Sequence, residues 1–222
     1  MRKQICVYLL KKQENKKTKN FRIINQCIEC LNLVKITKMA RTPTTQIPLG
    51  FKAPEFQLPD VVTDKIVNLE QVSDNQGLVV MFICNHCPFV IHVMDELIQL
   101  ANDYLPKEIG FVAISSNDVA NYPDDDPIKM RDLAIEKKFP FPYLYDETQE
   151  VAKQYDAACT PDFSVFNSEM KCIYRGQLDG SRPGNEIESN GEDLRKVLDL
   201  MIQKQEINFE QKPSIGCNIK WK

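Results

Sequence analysis

Residues 78–88 read Leu78-Val79-Val80-Met81-Phe82-Ile83-Cys84-Asn85-His86-Cys87-Pro88. Six consecutive apolar residues after a glycine are typical of a strand that is buried on both faces, as in a parallel or mixed sheet. Apolar residues then recur at helical spacing, which predicts a helix with one buried stripe. The stripe consists of Val90, Met94, Leu97, Ala101 and Tyr104. A Cys-x-x-Cys pair therefore lies where a buried strand gives way to a helix.

This position favours thiol chemistry. Free N–H groups and the dipole at a helix N-terminus stabilise a thiolate, so the pattern predicts a pKa for Cys84 below the usual value of about 8.5. A thiolate attacks disulfides, and Cys87 lies three residues later, where it can resolve the mixed disulfide. His86 lies between them and adds a donor or a positive charge. We therefore expect Cys84 to attack, Cys87 to resolve and His86 to assist.

Two other interpretations of the pair compete with the redox one. A Cys-x-x-Cys spacing also occurs in buried structural thiols and as half of a zinc site. The spacing alone is only moderately specific. The strand before it and the helix after it favour a redox pair.

The composition describes an ordinary globular chain of 222 residues, 43% hydrophobic and 27% charged, which is enough for one sizeable domain. No run of 18 apolar residues occurs, so no membrane span is predicted. Residues 1–38 carry a net charge of +8, from ten Lys/Arg and two Glu, and residues 39–222 carry −11. The acidic main part argues against nucleic acid as the principal partner.

The N-terminal residues do not resemble the rest of the chain. We expect residues 1–38 to be an extension outside the fold, either disordered or upstream of a true start at Met39, with an organelle-targeting peptide as the weaker alternative. Its own Cys-x-x-Cys, Cys27 to Cys30, has no buried strand before it and is interpreted as incidental. The domain is then 39–222, with a C-terminal tail at 206–222. Eight cysteines without a signal peptide favour a reducing, cytoplasmic setting.

The remaining patterns predict an α/β fold. An N-terminal hairpin is expected around residues 56–69, and a second buried strand at 111–115 completes a βαβ unit. Asp126 and Pro127 are typical of an N-cap and first helical position, so a helix is expected over 127–138. A short helix is expected over 147–155. A hairpin follows at 163–166 and 172–175, and a last helix at 191–205.

This order, with a Thr-Pro before the second hairpin, resembles the thioredoxin superfamily over about residues 45–205. In detail it is most similar to the peroxiredoxin-like branch, the alkyl hydroperoxide reductase/thiol-specific antioxidant group, here with a Cys-x-x-Cys site. The matching segments are residues 82–88, 122–127, 158–162, 174–179 and 214–222. The resemblance implies a thioredoxin-like fold, in which helices flank a central mixed β-sheet that carries an N-terminal hairpin.

The resemblance also implies roles for residues near the pair. Pro161 is expected to be a cis proline that faces the cysteines, and Thr160 to bind an extended substrate strand to strand. Carried over, Cys84 attacks and Cys87 resolves. Cys159 is either an accessory thiol or a buried structural thiol, and the second interpretation is preferred.

The chain also departs from the peroxiredoxin pattern Pro-x-x-x-Thr-x-x-Cys. Counting back from Cys87, Cys84 takes the threonine position and Val80 the proline position. Thr160 and Pro161 stand where peroxiredoxins usually place an arginine. These departures favour disulfide exchange over peroxide reduction.

The proton acceptor for Cys87 is left open by the sequence. Thioredoxins have a buried carboxylate in the strand before the pair. Here no Asp or Glu lies between Asp74 and Asp95. His86, His92 and water remain as candidates.

Three functions follow, in order of preference. The first is a thiol–disulfide oxidoreductase that needs no cofactor or metal. Its partners would be protein or small-molecule disulfides and thiols, with a thioredoxin-like reducing donor, and neither nucleic acid nor membrane. The second is an antioxidant thiol peroxidase using Cys87 or Cys84, with Cys217 in a mobile tail as resolving thiol. The third is a metal-binding or metallochaperone module using Cys84, Cys87 and either His86 or His92.

Overall fold

The computed structural model describes residues 41–222. The predictions for residues 1–38, for Met39 and for the pair Cys27 and Cys30 lie outside the described residues. Single 3₁₀ turns occur at Leu105–Lys107 and Pro123–Asp125. The strands and helices in chain order are β1 (Thr42–Pro43), β2 (Gln57–Pro59), β3 (Ile66–Asn68), α1 (Leu69–Val72), β4 (Gly77–Phe82), α2 (Pro88–Tyr104), β5 (Ile109–Ser115), α3 (Pro127–Lys137), β6 (Tyr143–Tyr145), α4 (Glu150–Gln154), β7 (Cys159–Thr160), β8 (Asp162–Asn167), β9 (Cys172–Gly176), α5 (Glu192–Ile202) and β10 (Ile215–Asn218).

Strand β4 is the middle strand of a five-stranded sheet whose order is β6-β5-β4-β8-β9. It runs parallel to β5, and β5 runs parallel to β6. On its other side β4 pairs antiparallel with β8, which forms the predicted hairpin with β9. The sheet is therefore mixed, and β4, α2 and β5 make the predicted βαβ unit.

Side chains on both faces of β4 are buried, as its apolar sequence predicted. Leu78, Val80 and Phe82 alternate along one face and belong to one core cluster with residues of β5, α4 and the N-terminal hairpin. Val79 and Met81 are also fully buried, and the strand pleat turns them to the opposite face. A strand covered on both faces can do without polar alternation, which explains the continuous apolar run.

Several local predictions are confirmed with small shifts. The hairpin β2–β3 forms in antiparallel register. Helix α3 begins at Pro127, and the Asp126 side chain accepts a hydrogen bond from the Ile128 N–H at 2.9 Å. Helix α4 begins at Glu150 rather than at residue 147, because Gln149 has a positive φ of 65°. Such a left-handed residue cannot continue a right-handed helix.

The C-terminal segment differs from its expectation. The sequence predicts a tail over residues 206–222, with Cys217 in a mobile region. Instead, β10 is the middle strand of a second sheet, ordered β1-β10-β7 and antiparallel throughout. Because its backbone groups are paired on both sides, β10 is a structural element of the domain.

Among the helices of residues 41–222, none combines the length and the apolar character that crossing a bilayer would require.

Candidate redox site

The register of the central sheet brings the Thr-Pro segment to the cysteine pair. Phe82 of β4 stands opposite Asp162 of β8 in an antiparallel pairing. Cys84 follows Phe82 by two residues and Thr160 precedes Asp162 by two, so the antiparallel register places Cys84 opposite Thr160. The peptide bond between Thr160 and Pro161 is cis, as the resemblance implied.

The helix after the pair begins three residues later than the sequence suggested. Cys87 is the N-cap of α2, and Pro88 is its first helical residue. Cys84 lies before the helix, between the end of β4 and the N-cap. The helix N-terminus therefore acts on Cys87, whereas the sequence argument assigned its effect to Cys84.

Three sulfur atoms converge with Thr160. The Sγ atoms of Cys87 and Cys217 lie 2.9 Å apart. The Cys87 Sγ is 3.1 Å from the Thr160 carbonyl oxygen, and the Cys84 Sγ is 3.4 Å from the Thr160 hydroxyl oxygen. All three cysteines are free thiols, and all are buried. With β10 in this position, no sulfur of the group is open to a large substrate.

The environment favours the thiolate at Cys87 rather than at Cys84. Hydrogen bonds from the thiols of Cys217 and Cys84, aided by the backbone N–H of Val90, lower the pKa of Cys87 below that of an ordinary thiol. When Cys87 is protonated, its thiol donates to the Thr160 carbonyl instead. The hydrogen bond with Cys87, burial and the nearby Asp125 charge raise the pKa of Cys84. The expectation of a lowered pKa at Cys84 is therefore wrong for this arrangement.

A carboxylate that the sequence analysis missed supports the site. The Asp125 side chain is fully buried and lies 2.6 Å from the Nδ1 atom of His86. It also accepts hydrogen bonds from the Asn85 backbone N–H and the Asn117 side chain. The hydrogen bond with Asp125 raises the pKa of His86, although burial opposes the rise. The imidazole also stacks on Tyr122, with ring centroids 5.6 Å apart.

The signal for Asp125 was present in the sequence. A run of three aspartates, residues 124–126, follows β5 after a short loop. The carboxyl ends of neighbouring parallel strands meet at one edge of a sheet, and the loop after β5 therefore lies near the loop after β4. Asp126 of this run is the predicted cap of α3. The chemical partner of His86 was its neighbour Asp125.

The other expected thiol and imidazole occupy different surroundings. The Cys159 Sγ lies 3.5 Å from the Pro161 carbonyl oxygen, and burial raises the pKa of this thiol. The His92 Nε2 atom is buried without a hydrogen-bond partner. Neither contact places Cys159 or His92 in the exchange step.

The possible metal-ligand set differs from the one considered from the sequence. Cys84, His86 and Asp125 offer ligand atoms that all lie within 4.8 Å of one another. However, Asp125 already accepts several hydrogen bonds, and three donors fall short of a closed structural zinc site. The hydrogen bond between the His86 Nδ1 atom and the Asp125 carboxylate already engages two of these three residues without a metal.

The arginines beside the second hairpin make structural hydrogen bonds to the backbone. The Arg175 guanidinium donates to the carbonyl oxygens of Thr45, Tyr155 and Asp156. Arg182 donates to backbone carbonyls within its own loop. A pocket of about 600 Å³ lies elsewhere, between Leu49 and Ile207, and neither Cys84 nor Cys87 lines it.

Comparison with known families and structures agrees with this architecture. A model of the AhpC/TSA family matches residues 49–175, more than half of the chain. The chain belongs to the AhpC/TSA family. Among the curated proteins, none matches the chain in sequence.

Solved structures of similar chains cover most of the domain. An uncharacterized conserved protein from Geobacillus kaustophilus is 55% identical, with a TM-score of 0.81 over 83% of this chain and 97% of its own. A hypothetical protein from Sinorhizobium meliloti is 40% identical, with a TM-score of 0.80 over 82% of this chain and 98% of its own. A putative thioredoxin from Neisseria meningitidis is 20% identical, with a TM-score of 0.53 over 68% of this chain and 89% of its own, and shows the fold alone. The predicted thioredoxin-like fold and peroxiredoxin-like relationship are thus confirmed, and the family supports a redox enzyme.

Proposed function

We propose that this AhpC/TSA protein is a thiol–disulfide oxidoreductase whose redox couple is Cys84 and Cys87. The observation that carries the proposal is the meeting of both sulfurs with Thr160, beside cis-Pro161. Once β10 leaves Thr160, an extended disulfide substrate can pair with β7 in its place, as peptides do at exposed sheet edges.

The distribution of charge supports an order opposite to the one expected from the sequence. The ionised sulfur is the nucleophile in disulfide exchange, and the surroundings favour ionisation of Cys87. Cys87 attacks the substrate disulfide, forms a mixed disulfide and releases the first thiol. Cys84 then attacks the Cys87 sulfur, forms the Cys84–Cys87 disulfide and releases the second thiol. The substrate gains two electrons and two protons, and the couple is oxidised.

His86 and Asp125 fit the second of these steps. Cys84 must lose its thiol proton before it attacks, and its surroundings raise its pKa. A nitrogen of His86 lies within 4.8 Å of the Cys84 sulfur. Because Asp125 makes the imidazole a stronger base, His86 can take this proton. The buried carboxylate of thioredoxins thus has a counterpart that reaches the thiols through a histidine.

The experiment is to incubate reduced protein with oxidised glutathione and locate the glutathione adduct by mass spectrometry. The C84S/C217S variant should accumulate an adduct on Cys87, because both candidate resolving thiols are absent, whereas C87S/C217S should accumulate none. The matched control is C172S/C217S, since Cys172 is a buried free thiol that donates to the Tyr174 carbonyl. It should form the Cys84–Cys87 disulfide.

The outcomes separate the two orders of attack. An adduct in C87S/C217S alone would restore Cys84 as the attacking residue and Cys87 as the resolving one. If neither variant forms an adduct and the wild type forms no Cys84–Cys87 disulfide, the proposed couple is refuted.

A thiol peroxidase is the second candidate, and the thiolate at Cys87 favours it. Cys87 stands at the cysteine position of the peroxiredoxin pattern and is the N-cap residue of α2. Against this candidate, the Arg175 and Arg182 guanidinium groups bind carbonyl groups away from the sulfurs. Stopped-flow mixing with hydrogen peroxide decides between the two. Oxidation of Cys87 no faster than that of a free thiolate would exclude the peroxidase.

A further inference from the structure

Strand β10 occupies the position at which an extended substrate would pair with the site. Its Cys217 stands opposite Thr160, and Asn218 stands opposite Cys159, in antiparallel register. The chain continues this contact beyond the strand, because the Ile219 N–H donates to the Ala158 carbonyl at 3.1 Å. The residue before the cis proline is therefore already paired with the protein's own C-terminal segment.

The fit of β10 against this edge depends on a glycine. A Cβ atom on Gly216 would lie 2.0 Å from the Thr160 carbonyl oxygen. Any residue with a side chain would therefore clash at this position. The Ser214 hydroxyl donates to the Pro161 carbonyl at 2.6 Å, on the other side of this close approach. The two backbones are thus held close enough for the Cys217 side chain to reach Cys87.

We propose that Cys217 is a third redox thiol, presented to Cys87 by β10 as an internal substrate strand. The argument rests on the 2.9 Å separation of the two sulfurs, on the strand pairing and on the close approach at Gly216. A disulfide bond is about 2.0 Å long, so the pair needs only a small side-chain movement to bond.

The step is an exchange within the oxidised protein, and it rests on the proposed Cys84–Cys87 couple. Cys217 attacks the Cys87 sulfur, the Cys87–Cys217 bond forms and the Cys84–Cys87 bond breaks. Cys217 gives up its thiol proton, and Cys84 leaves as a thiolate that takes up a proton, which His86 can supply because one of its nitrogens lies within 4.8 Å of the Cys84 sulfur. One disulfide is lost and one is gained, so no external oxidant or reductant takes part.

This exchange would have two consequences for the site. It frees the Cys84 thiol while the protein remains oxidised. It also ties β10 covalently over the position that an external strand needs. The oxidised protein therefore has two forms, one with β10 free to leave and one with it locked.

Disulfide mapping of the full chain tests the proposal directly. Trypsin leaves Cys84 and Cys87 together in peptide 66–107, whereas Cys217 lies in peptide 205–220. After oxidation with diamide and blocking of free thiols, a Cys84–Cys87 bond closes a loop within one peptide. A Cys87–Cys217 bond instead joins the two peptides. We expect both products from the wild type, the joined product from C84S, and no joined product from C87S.

A backbone variant tests the role of the strand without changing Cys87 or Cys217. Gly216→Ala should form the joined product in C84S protein about tenfold more slowly, because the added Cβ pushes β10 away from Thr160. The matched control is Gly180→Ala, where an added Cβ meets nothing closer than 3.8 Å. That control should leave the rate unchanged.

The failure of this inference and the failure of the proposed function give different results. If C84S yields no joined peptide while the wild type still forms the loop within peptide 66–107, Cys217 is not a redox partner and the couple stands. If the joined peptide forms in C84S and the loop never forms in the wild type or in C217S, the Cys84–Cys87 couple fails. Equal rates in the Gly216→Ala and Gly180→Ala variants would refute presentation by β10.

Discussion

Removal of the Cys217 thiol should raise the pKa of Cys87. The hydrogen bond from Cys217 is the largest of the effects that lower the Cys87 pKa, and the two sulfurs are 2.9 Å apart. A hydrogen bond to a charged group contributes about 1.5–3 kcal/mol. Because about 1.4 kcal/mol corresponds to one pKa unit, Cys217→Ala should raise the Cys87 pKa by about one to two units.

A serine at the same position provides the matched control. Its hydroxyl can still donate to the Cys87 thiolate, so Cys217→Ser should shift the pKa less than Cys217→Ala does. The assay follows the pH dependence of alkylation in peptide 66–107, with Cys84 replaced by Ser so that one thiol reports. Equal shifts in the alanine and serine variants would refute the hydrogen-bond argument. A pKa near the usual thiol value in all of these proteins would refute the lowered pKa itself.

The same interaction has a consequence for stability. A thiol whose pKa is lower in the folded state stabilises the fold fully above its unfolded pKa of about 8.5, and this contribution is lost as the pH falls through the folded pKa. Since Cys217→Ala raises the folded pKa of Cys87, the variant should lose the contribution at a higher pH than the wild type during acidification. Urea unfolding across a pH series measures this difference.

Three further predictions concern the scaffold around the thiols. Asp125→Asn should lower the pKa of His86, which NMR titration of the imidazole measures. Because the pKa of His86 is raised in the folded protein, the stability contributed by this pair is complete below the unfolded pKa and is lost as the pH rises through the folded pKa. An unchanged His86 titration would contradict the assignment. Leu97→Ala should reduce the free energy of unfolding by about 2–5 kcal/mol because Leu97 is fully buried, whereas Ile91→Ala, at 60% exposed, should change it by less than about 0.5 kcal/mol in the same urea titration. Asp179→Asn should lower the urea midpoint, because the Asp179 carboxylate accepts hydrogen bonds from three backbone N–H groups that an amide satisfies less completely. An unchanged midpoint would show that these bonds contribute nothing to stability.

Local sequence patterns determined most of the elements and the general chemistry. The apolar run at residues 78–83 identified β4, since only a strand covered on both faces tolerates such a run. The cap at Asp126 and the proline at Pro127 fixed the start of α3, because capping depends on adjacent residues. The Cys-x-x-Cys pair and the Thr-Pro dipeptide together indicated the thioredoxin superfamily.

Only the tertiary structure decided which groups meet at the sulfurs. Asp125 reaches His86 because two parallel strands end at the same sheet edge, and Cys217 reaches Cys87 because β10 pairs with β7 across more than 50 residues of sequence. Helical periodicity could not locate the N-cap of α2 to within one turn. The sequence therefore assigned the thiolate to Cys84, whereas the structure places Cys87 at the N-cap. Ionisation depends on distances of a few ångströms between groups far apart in the chain, and these distances are set by the packing of the whole domain.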